Sequence, residues 1–543
     1  MPTLEFKGKQ FIYAHHLTVP FRPLVIDEKK SLAPKGVKPT LDGNLIIHGD
    51  NLHGLKALLP TFAGRIRCIF IDPPYNTGEE GWCYNDNVNS PLMRTWLSKN
   101  GPVDKEDMER HDKWCCMMWP RLKLLKELLH PEGAIFITID DTEVHRLIAL
   151  MDDIFGEDHH VATVVWQKKY SRDNRPPIGV VHDYVLIYAN CTPDRFKELR
   201  NKIPADESQL KVYRNPNNDP RGRWRPVPMT AQAGHATKDQ FYKITTPAGT
   251  VHTPPPGRCW SVMEPEYTRL LEDGPSEGVS RRGRIWFGKD GNAQPNIIRY
   301  LDEIEGFVPW TWWPHEETGN TDESKKEILQ IFGCDAFPSP KPVRLIERIL
   351  EMYTNPDRGD IVLDSFAGSG TTAHAVLRLN KKDEGDRCFI LIQIPETLQP
   401  SHPAYELGMR DVADTTAERV RRVIRGYKFE GTTQEELYKR PMNLAVLKKA
   451  TDVLGTIEGI ENLEGHRFDR IAKKIENDTL IVTGEKKSTG KLEGLGGSFS
   501  FCTLGEEITM DGLLSGQKMP DYESLAKYVF YTATGQTLGK VPK

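Results

Sequence analysis

The sequence predicts an α/β fold, a doubly wound, mostly parallel sheet interrupted by a long insert and followed by a small α+β module. Three observations predict it. The runs IRCIFID (Ile66 to Asp72) and DIVLD (Asp360 to Asp364) are apolar almost throughout and stop at an acid, as strands covered on both faces do. Strand and helix patterns alternate from Leu45 to Tyr188 and again from Phe337 to Ile394, the mark of a sheet with helices on both faces. Between them, from about Cys191 to Cys334, helical periodicity fades and Pro, Gly, Trp and Arg become frequent. The expected divisions are an arm (1–40), a first half-domain (41–190), an insert (191–335), a second half-domain (336–400) and a C-terminal helical and α+β module (401–543).

Length and composition narrow the classes further. A chain of 543 residues is too long for one core. A net charge of −4 argues against a uniformly basic nucleic-acid binder, so any such surface is a local patch. The nine cysteines show no paired CxxC spacing, so no metal is expected. The adjacent Cys115 and Cys116 read as helix core, and the compartment reads as a reducing cytoplasm. Neither a membrane-length apolar span nor a signal-peptide pattern is visible, so no membrane contact is expected.

In chain order, residues 1–40 are polar and dotted with proline, and read as a partner-contacting arm or a frayed tail. Leu45 to His48 is a short strand. Gly49, Asp50 and Asn51 then open a helix with Leu52, Leu55, Leu58 and Leu59 on one face, which makes Asp50 a candidate N-cap. Asp72 stands at the carboxyl end of its strand, where α/β sheets bind ligands. Pro73 and Pro74 fix their own φ and push the residues before them away from the helical region, so Asp72 to Tyr75 is a stiff extended turn. Such a turn suits a planar guest bearing an NH2 group. The Asp72 carboxylate and Pro73 carbonyl would each accept one amino hydrogen while the Tyr75 ring stacks on the guest. Gly78 to Arg110, with Trp82 and Trp96, reads as a loop over this site. Trp114 to Leu129 is a helix, Ala134 to Ile139 a strand, Thr142 to Phe155 a helix, and Val161 to Trp166 and Tyr184 to Tyr188 are strands.

The insert carries RGRWRPVP, TPPPGRCW, SRRGRIWFGKDG and VPWTWWPHEETGN. From Phe196 to Arg299 there are 17 Lys or Arg against 11 acids, a local basic excess in an acidic chain. Arginine contacts phosphates and guanine edges, and aromatic residues stack on bases. Candidate DNA contacts are Arg223, Arg225, Arg281, Arg282 and Arg284. The alternative is a tryptophan-rich β core with a solvated basic face.

Beyond the insert, Phe337 to Glu351 reads as a helix with Lys341 and Pro342 at its start. The strand Ile361 to Asp364 runs into a glycine turn, Phe366, Ala367, Gly368, Ser369, Gly370 and Thr371, and then a helix whose free amides face a polar or anionic ligand group. No Lys precedes Thr371, so this is not a triphosphate loop, and it does not match GxGxxG. The following strand, Cys388 to Ile394, ends near Gln393 and Glu396, placed to meet ribose hydroxyls. Ala417 to Gly426 is a basic helix, with Arg419, Arg421, Arg422 and Arg425 expected on a solvated or phosphate-facing side. The remainder mixes a helix, Pro441 to Leu454, with strands Thr479 to Thr483 and Ser498 to Thr503. It is expected to make dimer or partner contacts.

DPPY followed by FAGSGT, with a long insert between, resembles the β-class amino-methylating DNA methyltransferases that use S-adenosylmethionine. IIHGDNLHGLKAL, FPSPKPVRLIERIL, GRIWFGKDGNAQPNIIRYL and TTAERVRRVI look like the modification subunits of type III restriction-modification systems. The resemblance implies a circularly permuted motif order and a target-recognition insert. It implies transfer to the N6 amino group of an adenine flipped out of double-stranded DNA, by way of Asp72, Pro73, Pro74 and Tyr75. It also places Asp50, Lys341, Asp364 and the Phe366 to Thr371 turn at the cofactor. Gln393 stands where many relatives carry a ribose-binding acid, with Glu396 as its substitute. A homodimer and a restriction or other defence-system subunit are the implied protein partners. An N4-cytosine enzyme would share the geometry, but Asp rather than Ser at the head of PPY resembles the adenine-specific members. A protein-glutamine or RNA methyltransferase would suit the same turn, and a non-catalytic DNA-binding subunit could retain the fold.

Overall fold

The computed structural model describes the chain apart from residues 1–3, 79–108, 171–176, 205–209, 216–217, 275, 277, 304–305, 443–445, 447–449, 477–478, 509–519 and 540–543. Two compact units result, Met1–Asn201 with Trp310–Lys543, and Lys202–Pro309. The expected loop carrying Trp82 and Trp96 falls almost wholly outside the described residues.

The larger unit is organised on ten strands: β1 (Leu24–Leu32), β2 (Leu45–His48), β3 (Ile66–Ile71), β4 (Leu129–Ile139), β5 (His160–Gln167), β6 (His182–Ala189), β7 (Trp312–Trp313), β8 (Ile361–Asp364), β9 (Cys388–Gln393) and β10 (Phe499–Leu504). They lie in the order β1-β10-β2-β9-β8-β3-β4-β6-β5-β7. β1 pairs antiparallel with β10, and β6 lies antiparallel to both β4 and β5, while every other neighbouring pair is parallel.

The central strands are apolar throughout because each feeds two cores. Ile69, Ile71, Leu363, Ile390 and Ile392 join one layer, with α1 (Asn51–Phe62), α2 (Arg110–Leu128) and α3 (Val144–Phe155). Cys68, Phe70, Val362, Phe389 and Leu391 join the other, with α4 (Thr321–Phe332), α5 (Val343–Tyr353), α6 (Thr371–Asp383) and α7 (Val412–Arg425). Each fully buried aliphatic side chain contributes roughly 1.5–3 kcal/mol of transfer free energy, so sandwiching the sheet on both faces is what holds the strand ends in place. Cys115 and Cys116 are buried within α2, free of disulfides.

Several boundaries differ from the sequence reading. Residues 1–40 are not a detached arm, since β1 forms one edge of the sheet and Ile12 and Val19 join the core. The expected helix from Phe337 begins only at Val343. Pro338, Pro340 and Pro342 lack amide donors and bias the residues before them towards extended backbone. The C-terminal region is not one module. β10 runs beside β2 in the main sheet, whereas Gly426–Pro441, Arg470–Glu476 and Thr479–Glu493 form a separate three-stranded antiparallel sheet. The helix expected over Pro441 to Leu454 is found at Ala450–Glu464.

The second unit is narrower than the expected 191–335, because Trp312–Trp313 pairs with β5 and α4 packs in the main core. A four-stranded antiparallel sheet runs Arg281–Arg282, Ile285–Trp286, Asn296–Tyr300, Trp224–Pro228. Met229, Trp260, Tyr267, Ile285 and Phe287 fill a small core beside it. Within Lys202–Pro309 there are 15 Lys or Arg against 13 acids, so the basic excess of the wider window shrinks to two charges.

Candidate active site

β3 and β8 are adjacent and parallel, with Leu363 beside Ile69. β3 has β4 on its other side and β8 has β9 on its other side. Neighbours diverging in this way make a topological switch point, where loops leave a crevice at the carboxyl ends of the strands. A cavity of about 1190 Å³ opens there, lined by both the Asp72 to Tyr75 turn and the Phe366 to Ser369 turn. The two motifs, almost 300 residues apart in sequence, thus share one wall.

On the β3 side the Asp72 carboxylate is held at both oxygens. Thr138 donates its hydroxyl to Oδ1 at 2.6 Å, and the Lys341 ammonium pairs with Oδ2. The same ammonium lies 5.0 Å from the centre of the Tyr75 ring. Tyr75 donates its hydroxyl to Asp183 at 3.3 Å, and Asp183 is paired with Lys168. Burial, reinforced by the Asp72 and Asp183 carboxylates, holds the Tyr75 phenol well above its ordinary range, so it stays neutral. Among the described residues the Pro73 carbonyl accepts no hydrogen bond.

The turn is braced from behind. Trp114 of α2 donates its indole N–H to the Pro74 carbonyl at 2.7 Å. Asn76 takes φ +62°, which Asn tolerates better than most residues, and donates to buried Glu143, which also meets His111. None of these braces was found from sequence. The one signal was Asn directly after DPPY.

On the β8 side the glycines are conformationally required. Gly368 and Gly370 have φ of +52° and +80°. A Cβ on Gly370 would stand 3.2 Å from the Thr416 carbonyl oxygen, and one on Gly368 3.2 Å from the Phe337 ring. Buried Asp364 accepts from the Phe366 amide at 3.0 Å and from the Thr372 hydroxyl. Burial is the main force pushing its carboxyl up to about 7, against those two hydrogen bonds, and the nearby Asp72 charge adds to the rise.

On this side the expectation of a solvated Arg419 is corrected, Asp50 is the N-cap its position suggested, and Gln393 gains a protein partner. The Gln393 side chain lines the cavity, yet its amide oxygen accepts from Gly368 N–H at 2.6 Å and so braces the turn. Exposed Glu396 stands on the same rim. Asp50 caps α1, accepting from Leu52 N–H at 2.8 Å, and the lining residue at that corner is its neighbour Asn51. Arg419 is fully buried rather than solvated, donating to the Ser369 and Thr371 hydroxyls at 2.8 Å each and to Glu327. The reason is its helical position: α7 packs against the glycine turn, where Thr416 donates to the Gly368 carbonyl at 2.6 Å.

Within the second unit the arginines divide. Arg281 is buried, ion-paired to Asp219 and hydrogen-bonded to Tyr300, so it serves the core and cannot contact DNA. Arg284 is committed to Asp273 and Glu303. Arg223 and Arg282 are exposed. Arg225 is half-buried, 5.3 Å from the Tyr213 ring centre, and directly opposite Arg299 across two strands. Like charges directly opposed in this way destabilise a strand pair. Arg299 was not singled out from sequence because its partner across the sheet is some 70 residues away in the chain.

Residues 66–400 match the family model described as DNA methylase. The Type III restriction-modification enzyme StyLTI Mod subunit of Salmonella typhimurium is 36% identical, over 70% of this chain and 57% of its own length, so the chain spans little more than half of that relative. The Type III restriction-modification enzyme EcoPI Mod subunit of Escherichia phage P1 is 28% identical over 81% of this chain and 71% of its own. The Type II methyltransferase M.KpnI of Klebsiella pneumoniae is 31% identical over 73% of this chain and 90% of its own. On the shared motifs, the family match and these identities, the chain belongs to the DNA methylase family.

Proposed function

We propose that the chain transfers the methyl group of S-adenosylmethionine to the N6 amino group of an adenine flipped out of duplex DNA, as the modification part of a restriction-modification system. The observation that carries this reading is the meeting of two chemistries in one cavity, a fixed pair of amino-group acceptors at Asp72 and Pro73 and a glycine turn at a helix start. The cavity fits the cofactor. Gly368 presents its backbone at the cavity wall, and Glu396 offers a carboxylate to ribose hydroxyls. Phe366, Ala367 and Asn51 are among the other residues of its wall.

When bound, S-adenosylmethionine supplies an electrophilic methyl group on sulfur. The chain must make a poor nucleophile attack it, because the lone pair of an adenine amino nitrogen is delocalised into the ring. Asp72 and the Pro73 carbonyl accept hydrogen bonds from its two N–H groups, favour tetrahedral nitrogen, and stabilise the positive charge that develops on it until one of those protons is lost. Tyr75 supplies a stacking face for the base, which has to leave the duplex before its amino group can be reached. Holding both reactants in one cavity adds the positional contribution. Within the second unit, Arg223, Arg225, Arg282 and Arg299 are the proposed DNA contacts. The Mod-subunit relatives support a restriction subunit as partner, and a homodimer is the proposed assembly.

Labelled S-adenosylmethionine incubated with plasmid from a methylation-free host, followed by nucleoside chromatography, tests the reading. N6-methyldeoxyadenosine is expected. N4-methyldeoxycytidine would replace the base assignment, and absence of transfer despite cofactor binding would favour a non-catalytic or non-DNA role.

A further inference from the structure

Lys341 lies in PSPKP, where prolines alternate with other residues and keep the backbone extended and stiff. This segment touches both sides of the cavity. Its backbone faces the glycine turn, since the Lys341 carbonyl accepts from the Thr371 hydroxyl at 3.3 Å, and Thr371 is itself held by buried Arg419 at 2.8 Å. Directly before Pro338, the Phe337 ring packs against Gly368. Its ammonium reaches the other side, pairing with Asp72 beside the Tyr75 ring. The family resemblance makes Lys341 a cofactor ligand, but its charge is directed at the amino-group acceptor.

We propose that Lys341 is a positioning residue that ties the glycine turn to the base acceptor, holding the Asp72 carboxylate against Thr138 with its remaining lone pairs turned to the cavity. A carboxylate has about four acceptor positions, so bonds from Thr138 and Lys341 leave acceptor capacity for an amino hydrogen. Restricting Asp72 to one orientation before the base arrives removes reorganisation from the reaction step, the condition under which a polar group acts most strongly on a developing charge. Anchorage of the same residue at Thr371 makes the orientation depend on an intact glycine turn.

This inference rests on the methyl-transfer reading, and the test separates the two. Steady-state transfer to plasmid DNA and calorimetric titration with sinefungin, a non-reacting cofactor analogue, are compared for wild type, Lys341→Met and Lys341→Arg. The expected result for Lys341→Met is a fall in kcat of ~10²-fold, the range seen when one pre-aimed polar group is lost, with sinefungin affinity and the KM for cofactor nearly unchanged. Lys341→Arg, which keeps the charge, is expected to recover most of the lost kcat. Loss of sinefungin affinity in step with kcat would make Lys341 a cofactor ligand instead, and unchanged kcat would leave it no role. A crystal structure of Lys341→Met gives an answer independent of turnover: Asp72 should turn away from Thr138, and an unmoved carboxylate would overturn the proposal. Failure of the wild-type chain to transfer methyl would count against the function, while that crystal structure still decides the positioning role.

Discussion

The acids that end the two central strands look alike in sequence but do different things. Asp72 faces the cavity between a hydroxyl and an ammonium, whereas Asp364 is buried and braces the turn that follows it. Because the Asp364 carboxyl titrates near 7 in the folded chain and near 3.9 when unfolded, the folded state holds a proton that the unfolded state has lost between those values. Its contribution to stability is therefore complete below about pH 4 and is lost as pH rises through about 7. Asp364→Asn should flatten that part of the profile, as read from urea midpoints at pH 5 and pH 8, and an unchanged slope would refute the assignment. Sequence reasoning found both acids because each follows an apolar run. It could not tell them apart, since burial is set by neighbours such as Thr372 and Phe366. The same limit explains Gln393, whose amide oxygen accepts from Gly368 N–H, whereas the Asp50 cap on α1 was legible from its place before the helix.

At the level of elements, the sheet was legible because strands buried on both faces write continuous apolar runs, and β2, β3, β8 and β9 lie close to where the sequence places them. Edges were not. β1 mixes exposed and half-buried residues without a period of two, and Trp312–Trp313 is only two residues long. α7 was found as a basic helix, but periodicity alone could not show that Arg419 turns inward to the glycine loop. Gly370 faces that helix with φ +80°, so Gly370→Ala should destabilise the chain by about 1–3 kcal/mol, the range for strained backbone at a non-glycine residue. Denaturant titration checks this, and sinefungin affinity should fall with it. In the second unit, the opposed pair Arg225 and Arg299 gives a distinct expectation. Replacing both with Ala should weaken plasmid binding, reduce the slope of log affinity against log salt by about 2, and leave stability unchanged or raised. An unaltered salt slope would remove them from the DNA surface.

For the molecule as a whole, the informative feature is that the chain leaves and returns to one sheet. The Asp72 turn is made first, the Lys202–Pro309 unit is inserted, and the glycine strand then comes back beside β3. The paired motifs were readable in the sequence because their chemistry is local: two prolines stiffen one turn, and two glycines open the other. The divisions of the chain were harder to read, because β1 and β10 close the sheet from opposite ends of the sequence, and no local pattern announces such a pairing. Under the proposed function, this returning topology assembles one methyl-transfer site around Asp72. Single-molecule modification sequencing of plasmid DNA from a methylation-free host, expressing either wild type or Asp72→Ala, tests it most directly. N6-methyladenine is expected at one short motif with wild type and none with Asp72→Ala, while plasmid binding by the variant persists. The same mark at wild-type levels in the Asp72→Ala strain would contradict it.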